Sequence, residues 1–238
     1  EVTGILSGRN VSLIAQDTDA RALELHPGHL DAEENVRVDY SFFDMTTDAK
    51  VVIAAGAQVE AAESVDIRAI SLQTRPLIPT LEELTSLIPG FGGLPDFNFV
   101  GVKIGSASIL IEGAVRAAQG FIHAAASSLV KLGASNADLA SYYIPFAVGV
   151  AVVDSSVTVG KSANLQAGGG VLLTARSAVE LETSAQTGTI PFALAVSVIS
   201  SRASVQVKDD AQVIAGGDVA LNASGRVRAK TSASGHEA

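Results

Sequence analysis

Four features of the sequence have side chains that could do chemistry, and the first combines histidines with acids. His26 and His29 are followed closely by Asp31, Glu33 and Glu34, and imidazole and carboxylate groups both bind divalent metals. The Pro-Gly pair between the histidines interrupts a helix, so the i, i+4 spacing that aims two histidines at one ion is missing. We therefore predict a solvated acidic loop here, with a metal site as the alternative.

The second feature is an acid pair and the third is an isolated histidine. Asp209-Asp210 resembles the paired carboxylates of glycoside-cleaving β-helices. The pair takes the position that Gly160-Lys161 takes one repeat earlier, and no further acid, Lys or Arg recurs beside it, so we predict a surface turn. His123 falls in a column of apolar residues when the repeats are aligned. We therefore predict an inward-pointing structural histidine rather than a catalytic one.

The fourth feature is the glycine run Gly168-Gly169-Gly170. It does not satisfy GxGxxG and no helix follows it, so phosphate binding is unsupported. The acidic turns also lack the GGxGxD nonapeptide that binds calcium in β-rolls. No Ser/His/Asp or Cys/His set can be assembled from the chain. We therefore predict no catalytic, cofactor-binding or metal-binding residues, no cofactor, and a function other than catalysis.

Composition limits the partners. The net charge is −9 and no basic cluster occurs, which argues against a nucleic-acid partner. The longest nearly apolar run, Ile144 to Val153, is far shorter than the roughly 20 residues that a membrane-spanning helix needs, which argues against membrane insertion. The absence of Cys excludes disulfides and thiolate metal sites, and suits a large exported protein. The sequence opens on Glu1 without a signal-like segment, which we interpret as an internal or processed piece.

An internal repeat is the strongest signal in the chain. Five segments of equal length align without a gap, and they recur at nearly regular intervals. The shared pattern is apolar, any, small, three turn-like residues, then alternating apolar residues ending on Ala. The segments are Ile5–Ala15, Val59–Ala69, Val115–Ala125, Leu165–Ala175 and Val213–Ala223. One aligned column contains Ile5, Val59, Val115, Leu165 and Val213, and the next apolar column contains Val11, Val65, Phe121, Val171 and Val219.

The alternation of apolar and small or polar residues indicates strands with one buried face. Each period contains about six short strands separated by Gly-Gly, Ser-Ser or Asp-Asp pairs, which predicts two coils of about 24 residues per period and nine or ten coils in all. Because parallel crossovers are strongly right-handed, we predict an all-β chain that forms a right-handed parallel β-helix, a single β-solenoid over residues 1–238. An antiparallel sandwich is the alternative.

Three segments interrupt the repeat as excursions, at 16–56, 70–99 and 126–143. In the second, Thr80 is followed by LEELTSLI and forms a capping box with Glu83, which predicts a short helix near 81–88. A helical turn is predicted at 135–140. Excursions of this kind either cover one face of a stack or carry recognition.

Two segments carry a resemblance to a known family: VGVAVVDSSVTVGKSANLQAGGGVLLTARSAVELETSA and LAVSVISSRASVQVKDDAQVIAGGDVALNASGRVRAKTSA. They resemble the β-helical repeats of giant bacterial exported proteins, which include filamentous-haemagglutinin-like adhesins and autotransporter passengers. The similarity covers about half of the chain, chiefly 144–238, and carries no functional residues.

The resemblance implies a secreted or cell-surface location and a structural or adhesive function. We expect a rod or filament-building module whose cut ends self-associate end to end, with a host-cell, cell-surface or glycan ligand. A carbohydrate-active β-helix enzyme or a carbohydrate-binding module is the alternative, and a tail-spike-like trimer is a third.

Overall fold

The computed structural model describes residues 1–18, 24–32, 36–74, 98–138, 145–187 and 192–235. Within these ranges the chain forms fifteen strands, numbered in chain order, in three five-stranded sheets, and no helix. Sheet 1 is short: β1 Ile5–Gly8, β5 Gln58–Ala61, β8 Ala114–Ala117, β11 Asn164–Ala167 and β14 Gln212–Ala215. Sheet 2 contains β2 Val11–Thr18, β6 Val65–Gln73, β9 Ile122–Asp138, β12 Val171–Thr187 and β15 Val219–Ser234. Sheet 3 contains β3 Glu24–Ala32, β4 Val36–Ile53, β7 Asn98–Ile111, β10 Phe146–Val159 and β13 Leu194–Val207.

Each repeat runs through sheet 1, out along sheet 2 and back along sheet 3. Every strand pairs in parallel with its copies in the neighbouring repeats, with β3 as the exception. β3 pairs antiparallel with β4 and forms the edge of sheet 3 at the N-terminal end. The prediction of an all-β chain with parallel sheets is confirmed, and this architecture is compatible with a β-solenoid.

The predicted coil size is wrong. Each period of the repeat places one strand in each sheet, so a period is one circuit of three strands and not two. Two pairs of predicted short strands are each one long strand: β12 spans 17 residues and β13 spans 14. With five strands stacked in each sheet and about 4.8 Å between neighbours, the stack is about half as long as predicted.

Serine pairs that we interpreted as turns lie inside strands, which explains why the predicted number of strands in each period is too large. Ser177, in the middle of β12, hydrogen-bonds Ser201 of β13 through their hydroxyls at 2.8 Å. Ser155 of β10 donates to the carbonyl of Arg176 at 2.7 Å. Because each of these hydroxyls finds a partner across the core, the strand continues through a polar residue.

The repeat does not align without a gap. The turn between sheets 1 and 2 has two residues in the first repeat, three in the second and four in the third. Ile122, not Phe121, therefore pairs with Val65 and Val171. Ile122 is fully buried, whereas Phe121 is 63% exposed at the turn. In sheet 1, Leu6, not Ile5, pairs with Val59.

Two predictions about helices meet different outcomes. The helix near 81–88 lies outside the described residues. The prediction of a helical turn at 135–140 is wrong for its first four residues, because β9 continues as a strand to Asp138. In the described ranges, no helix has the length and hydropathy that crossing a bilayer requires.

The core is divided into two apolar clusters. The larger lies between all three sheets and includes Ile67, Ile109 and Leu173. The smaller lies between sheets 2 and 3 farther from sheet 1 and includes Val130, Val153 and Val179. A layer of buried hydroxyls separates them. Its members are Thr47, Ser71, Ser128, Ser155 and Ser177.

One member of this hydroxyl layer has no partner. Thr47 and Ser71 bond each other at 2.7 Å, but the buried Ser128 hydroxyl has no hydrogen-bond partner among the described residues. Burial without a partner costs about 1–3 kcal/mol. We therefore expect Ser128→Ala to raise the free energy of unfolding by about 1 kcal/mol in a urea titration.

The matched control is Ser177→Ala, one repeat later in the same column. This change breaks the bond to Ser201, so we expect a loss of about 1 kcal/mol. A destabilised Ser128→Ala protein would show that the hydroxyl has a partner.

Candidate functional site

The predicted acidic loop near His26 is a strand for most of its length. His26, His29 and Asp31 lie on β3, which pairs with β4 through Leu30 and Val38 among others. Their side chains, and Glu33 and Glu34, lie outside what the structure describes. Elsewhere in the described ranges, no group of three or more His, Asp or Glu side chains could hold a metal ion.

His123 does not point inward. The four-residue turn before β9 shifts the column by one, so Ala124 takes the buried position beside Ile67 and Leu173. The His123 Nδ1 lies 3.1 Å from a carboxylate oxygen of Asp66 on the outer face of sheet 2. Arg68 lies 2.7 Å from the other oxygen of that carboxylate. His123 therefore belongs to a surface cluster that links the second and third repeats.

The Asp209-Asp210 turn is confirmed as a surface turn. The Ala211 amide donates to the carbonyl of Lys208 at 3.2 Å, and Asp210 has φ of 65°. Gly56 takes the same left-handed conformation in the equivalent turn of the first repeat. Asp tolerates this conformation better than most residues, so Asp210 has a conformational reason to be there. The matching residues in the turn between β10 and β11, one repeat before Asp209-Asp210, are Lys161-Ser162, one position later than predicted.

A shallow groove of about 410 Å³ lies on the outer face of sheet 2, and sequence reasoning missed it. It crosses β9, β12 and β15, whose side chains alternate in charge. Lys131, Glu180 and Arg228 follow one another across the strands, and Glu182 and Lys230 form the next column. Gly133 begins that second column with open space where a side chain would stand.

The groove's charges are paired between repeats. The Lys131 ammonium lies 3.1 Å from a Glu180 carboxylate oxygen, and the Lys230 ammonium lies 2.6 Å from one of Glu182. The hydrogen bond from Lys131, then its charge, lowers the pKa of Glu180 below its ordinary value of 4.5, and Arg228 and Arg226 add to this. Glu182 raises the pKa of Lys230 in the same way.

The electrostatics of the groove argue against Glu180 as a general acid. Glu180 and Glu182 stand two residues apart on one strand face, a spacing comparable to that of glycosidase carboxylates. A general acid, however, needs a raised pKa so that it holds its proton near neutrality. The pKa of Glu180 moves the other way, so its carboxylate stays ionised. The groove offers fixed charges of both signs to a ligand.

The pairing of Glu180 predicts a pH dependence of stability. Because the pKa is lowered in the folded state, the stabilisation is complete above about pH 4.5 and is lost as the pH falls through the folded pKa. We expect Glu180→Gln to flatten the acid part of the curve of unfolding free energy against pH.

Removing the other partner should have the same effect. Lys131→Met should match Glu180→Gln below pH 4.5, and the double variant should lose nothing more. An unchanged acid limb in Glu180→Gln would contradict the assignment.

A buried lysine supports the groove from inside. Lys103 of β7 is fully buried, and its ammonium donates to the carbonyl of Lys131 at 2.8 Å. The neighbouring Gln73 amide donates to the carbonyls of Met45 and Ile104. The Lys103 bond ties the backbone of β9 to sheet 3 behind the groove, and the Gln73 bonds tie the end of β6 to the same sheet. Strand parity could have found Lys103, because it is separated by even numbers of residues from Ala107 and Ile109 and so lies on the same inward face.

The outer face of sheet 3 is a second surface, and it is apolar. Three neighbouring strands align β-branched and leucine side chains in register, all at least partly exposed. Contiguous apolar patches of this kind mark contact sites in many soluble proteins. The patch contains Val100, Val102, Ile104, Val148, Val150, Val152, Leu194, Val196 and Val198.

Comparison of the chain with protein-family models, with curated proteins and with solved structures gives no match. The function is therefore inferred from the surfaces described above.

Proposed function

We propose that the chain is a structural segment of an exported bacterial surface protein, a stiff right-handed β-solenoid that spaces or presents an adhesive surface. One observation carries the proposal: the strand pairing continues without a break through successive repeats in all three sheets. Each strand gives its backbone hydrogen bonds to the next repeat, so bending the stack would strain three sheets at once. Such a construction resists bending.

The sequence resemblance supports the proposed location. The repeats that resemble exported adhesins, from 144 onward, form β10 to β15 in continuous register. Two of the three strands that carry the apolar outer face of sheet 3, β10 and β13, belong to these repeats, and this face is the surface best suited to contact a partner.

The location can be tested on whole cells of the source organism. Antibodies against the purified chain should label intact cells, and brief protease treatment of those cells should remove the label. Antibodies against a cytoplasmic protein are the control and should label only lysed cells. If the chain is labelled only after lysis, the proposed location is wrong.

The groove on sheet 2 favours a carbohydrate-binding module as the second candidate. Its charged, open floor suits a polar chain lying across β9, β12 and β15. A glycan array probed with the purified chain tests this. Gly133→Leu fills the groove from a position with open space around it, so this variant should lose binding while unfolding at the same or a higher urea concentration. An array without signal for the parent chain rules this candidate out.

A further inference from the structure

The apolar patch on the outer face of sheet 3 belongs to the middle of the stack. Its strands β7 and β10 have a paired neighbour on both edges, because β7 also pairs with β4 and β10 with β13. A further repeat would lengthen this face along the stack and would not cover it. Ile104 is 40% exposed, and Val102 and Val150 are partly exposed. The exposure of the patch is therefore a property of the face itself.

The patch is flat and stiff. Its strands pair in register, so the outward side chains form straight rows across the sheet. Every side chain of the patch except Leu194 is β-branched. Because the χ1 angle of a β-branched residue is already restricted, burying these side chains costs little rotamer freedom. Such a face is suited to a second sheet packed on it at about 10 Å.

A row of exposed charges borders the patch. Asp48, Ser106, Asp154 and Arg202 lie side by side on β4, β7, β10 and β13. Among the described residues, none of the three charged side chains has an ion-pair partner, although Asp154 and Arg202 are neighbours in register. The row therefore offers carboxylates on β4 and β10 and a guanidinium on β13 to a partner.

A second copy of the chain matches this face in one orientation. A two-fold axis parallel to the strands keeps the strand direction, so the apolar half of one face meets the apolar half of the other. The same axis reverses the order of the repeats. Arg202 of each copy then lies over Asp48 or Asp154 of the second copy. An axis along the stack would instead place the apolar half on the charged half.

The size of the face agrees with this partner. Three to four strands, of which β7, β10 and β13 have 14 residues each, give roughly 700–900 Å² per copy. Specific complexes bury about 800 Å² per partner. Beyond the charges the next row is Ser108, Ser156 and Ser204, whose small side chains allow a second sheet to approach closely.

We propose that the chain forms a two-fold dimer through the outer face of sheet 3, in which two stacks pack side by side with their repeats in opposite order. The apolar patches bury each other, and Arg202 of each copy binds a carboxylate of the second copy. The reciprocal charge pairs fix the orientation of the two stacks.

The opposite order of the repeats has a consequence for adhesion. Chains that project in the same direction from one surface cannot make this contact, whereas chains that project from two opposed surfaces can. The contact therefore suits adhesion between two surfaces that both carry the protein. The inference deepens the proposed function and rests on it, since it names the partner of the adhesive face.

The oligomeric state of the whole chain tests the proposal. Light scattering at tens of micromolar should give twice the 24.2 kDa of one chain. Val150→Asp places a carboxylate in the middle of the patch, between Val102 and Val198, and should raise the dissociation constant about thirtyfold or more. Ala125→Asp is the matched control. Ala125 is a partly exposed residue on the outer face of sheet 2, so this variant should keep the dimer.

Charge reversal tests the orientation. Arg202→Glu should raise the dissociation constant about tenfold, because each new carboxylate faces a carboxylate of the second copy. Asp48→Arg combined with Asp154→Arg should have a similar effect. The chain that carries all three changes should regain the dimer, since every pair is again of opposite charge. A dimer that Arg202→Glu leaves unchanged would overturn the opposite order of the repeats.

Each other outcome has a distinct meaning. A monomer with an all-β circular dichroism spectrum overturns the dimer and leaves the structural proposal standing. If that monomer is destabilised towards urea by Val150→Asp and not by Ala125→Asp, the chain covers the patch with its own residues. A helical spectrum overturns the dimer and the structural proposal together.

Discussion

Ile122→Asp is expected to lower the free energy of unfolding by a large fraction, about 3–5 kcal/mol. Ile122 is fully buried between Val65 and Val171 in the column that lines the larger apolar cluster. A carboxylate there has no partner, and an unpaired buried charge costs about 3–5 kcal/mol. Domains are stable by only about 5–15 kcal/mol. The midpoint of urea unfolding, followed by circular dichroism, measures the loss.

Phe121→Asp is the control one residue away. Phe121 is 63% exposed at the turn before β9, so we expect a change of about 1 kcal/mol or less. The two variants discriminate between two alignments of the repeats. The gapless alignment places Phe121 in the buried column, whereas the strand register of the structure places Ile122 there. A larger loss for Phe121→Asp than for Ile122→Asp would restore the gapless alignment and contradict the strand register.

Gly168→Ala is expected to destabilise the protein by about 2 kcal/mol, within the range typical of overpacked sites. Gly168 lies in the turn between β11 and β12, and its amide donates to the carbonyl of Ala117 in the previous repeat at 2.9 Å. A Cβ atom at Gly168 would overlap the carbonyl oxygen of Ala118. Backbone atoms of a stacked turn cannot move without disturbing the next repeat, so the overlap is not relieved by a rotamer change.

Gly133→Ala is the matched control, and we expect the opposite sign. Nothing lies within 4 Å of a Cβ atom at Gly133. Alanine there restricts the unfolded chain, which should stabilise the protein by about 0.5–1 kcal/mol. Chemical denaturation of the two variants measures both effects. Equal changes in the two variants would mean that the close packing of turns at Gly168 is not what requires glycine.

The parallel strands could be predicted from the sequence because alternation and repetition are local signals. Val59, Val115, Leu165 and Val213 align by eye, and they do pair in the structure. The register of sheet 2 could not be predicted, because one inserted turn residue before Ile122 shifts every later position of the strand. Turn length is constrained by the stacking of neighbouring turns, and that is a property of the fold.

The candidate site could not be predicted from the sequence, for a different reason. Lys131, Glu180 and Arg228 belong to three different repeats and become neighbours only when those repeats are stacked in register. An error of one residue in register would place one of them inside the core. The Ser177 and Ser201 pair shows the same limit, since each serine alone resembles a turn residue until its partner across the core is known.

The hydroxyl layer between the two apolar clusters has a mechanical consequence. Apolar packing is continuous within each cluster, but across the layer the sheets are joined by directional bonds such as Thr47 to Ser71. Directional bonds tolerate less sliding than apolar contacts do. The layer therefore holds the part of sheets 2 and 3 that encloses the smaller cluster at a fixed angle to the part that encloses the larger cluster. Local unfolding around the smaller cluster can then occur without disrupting the larger one.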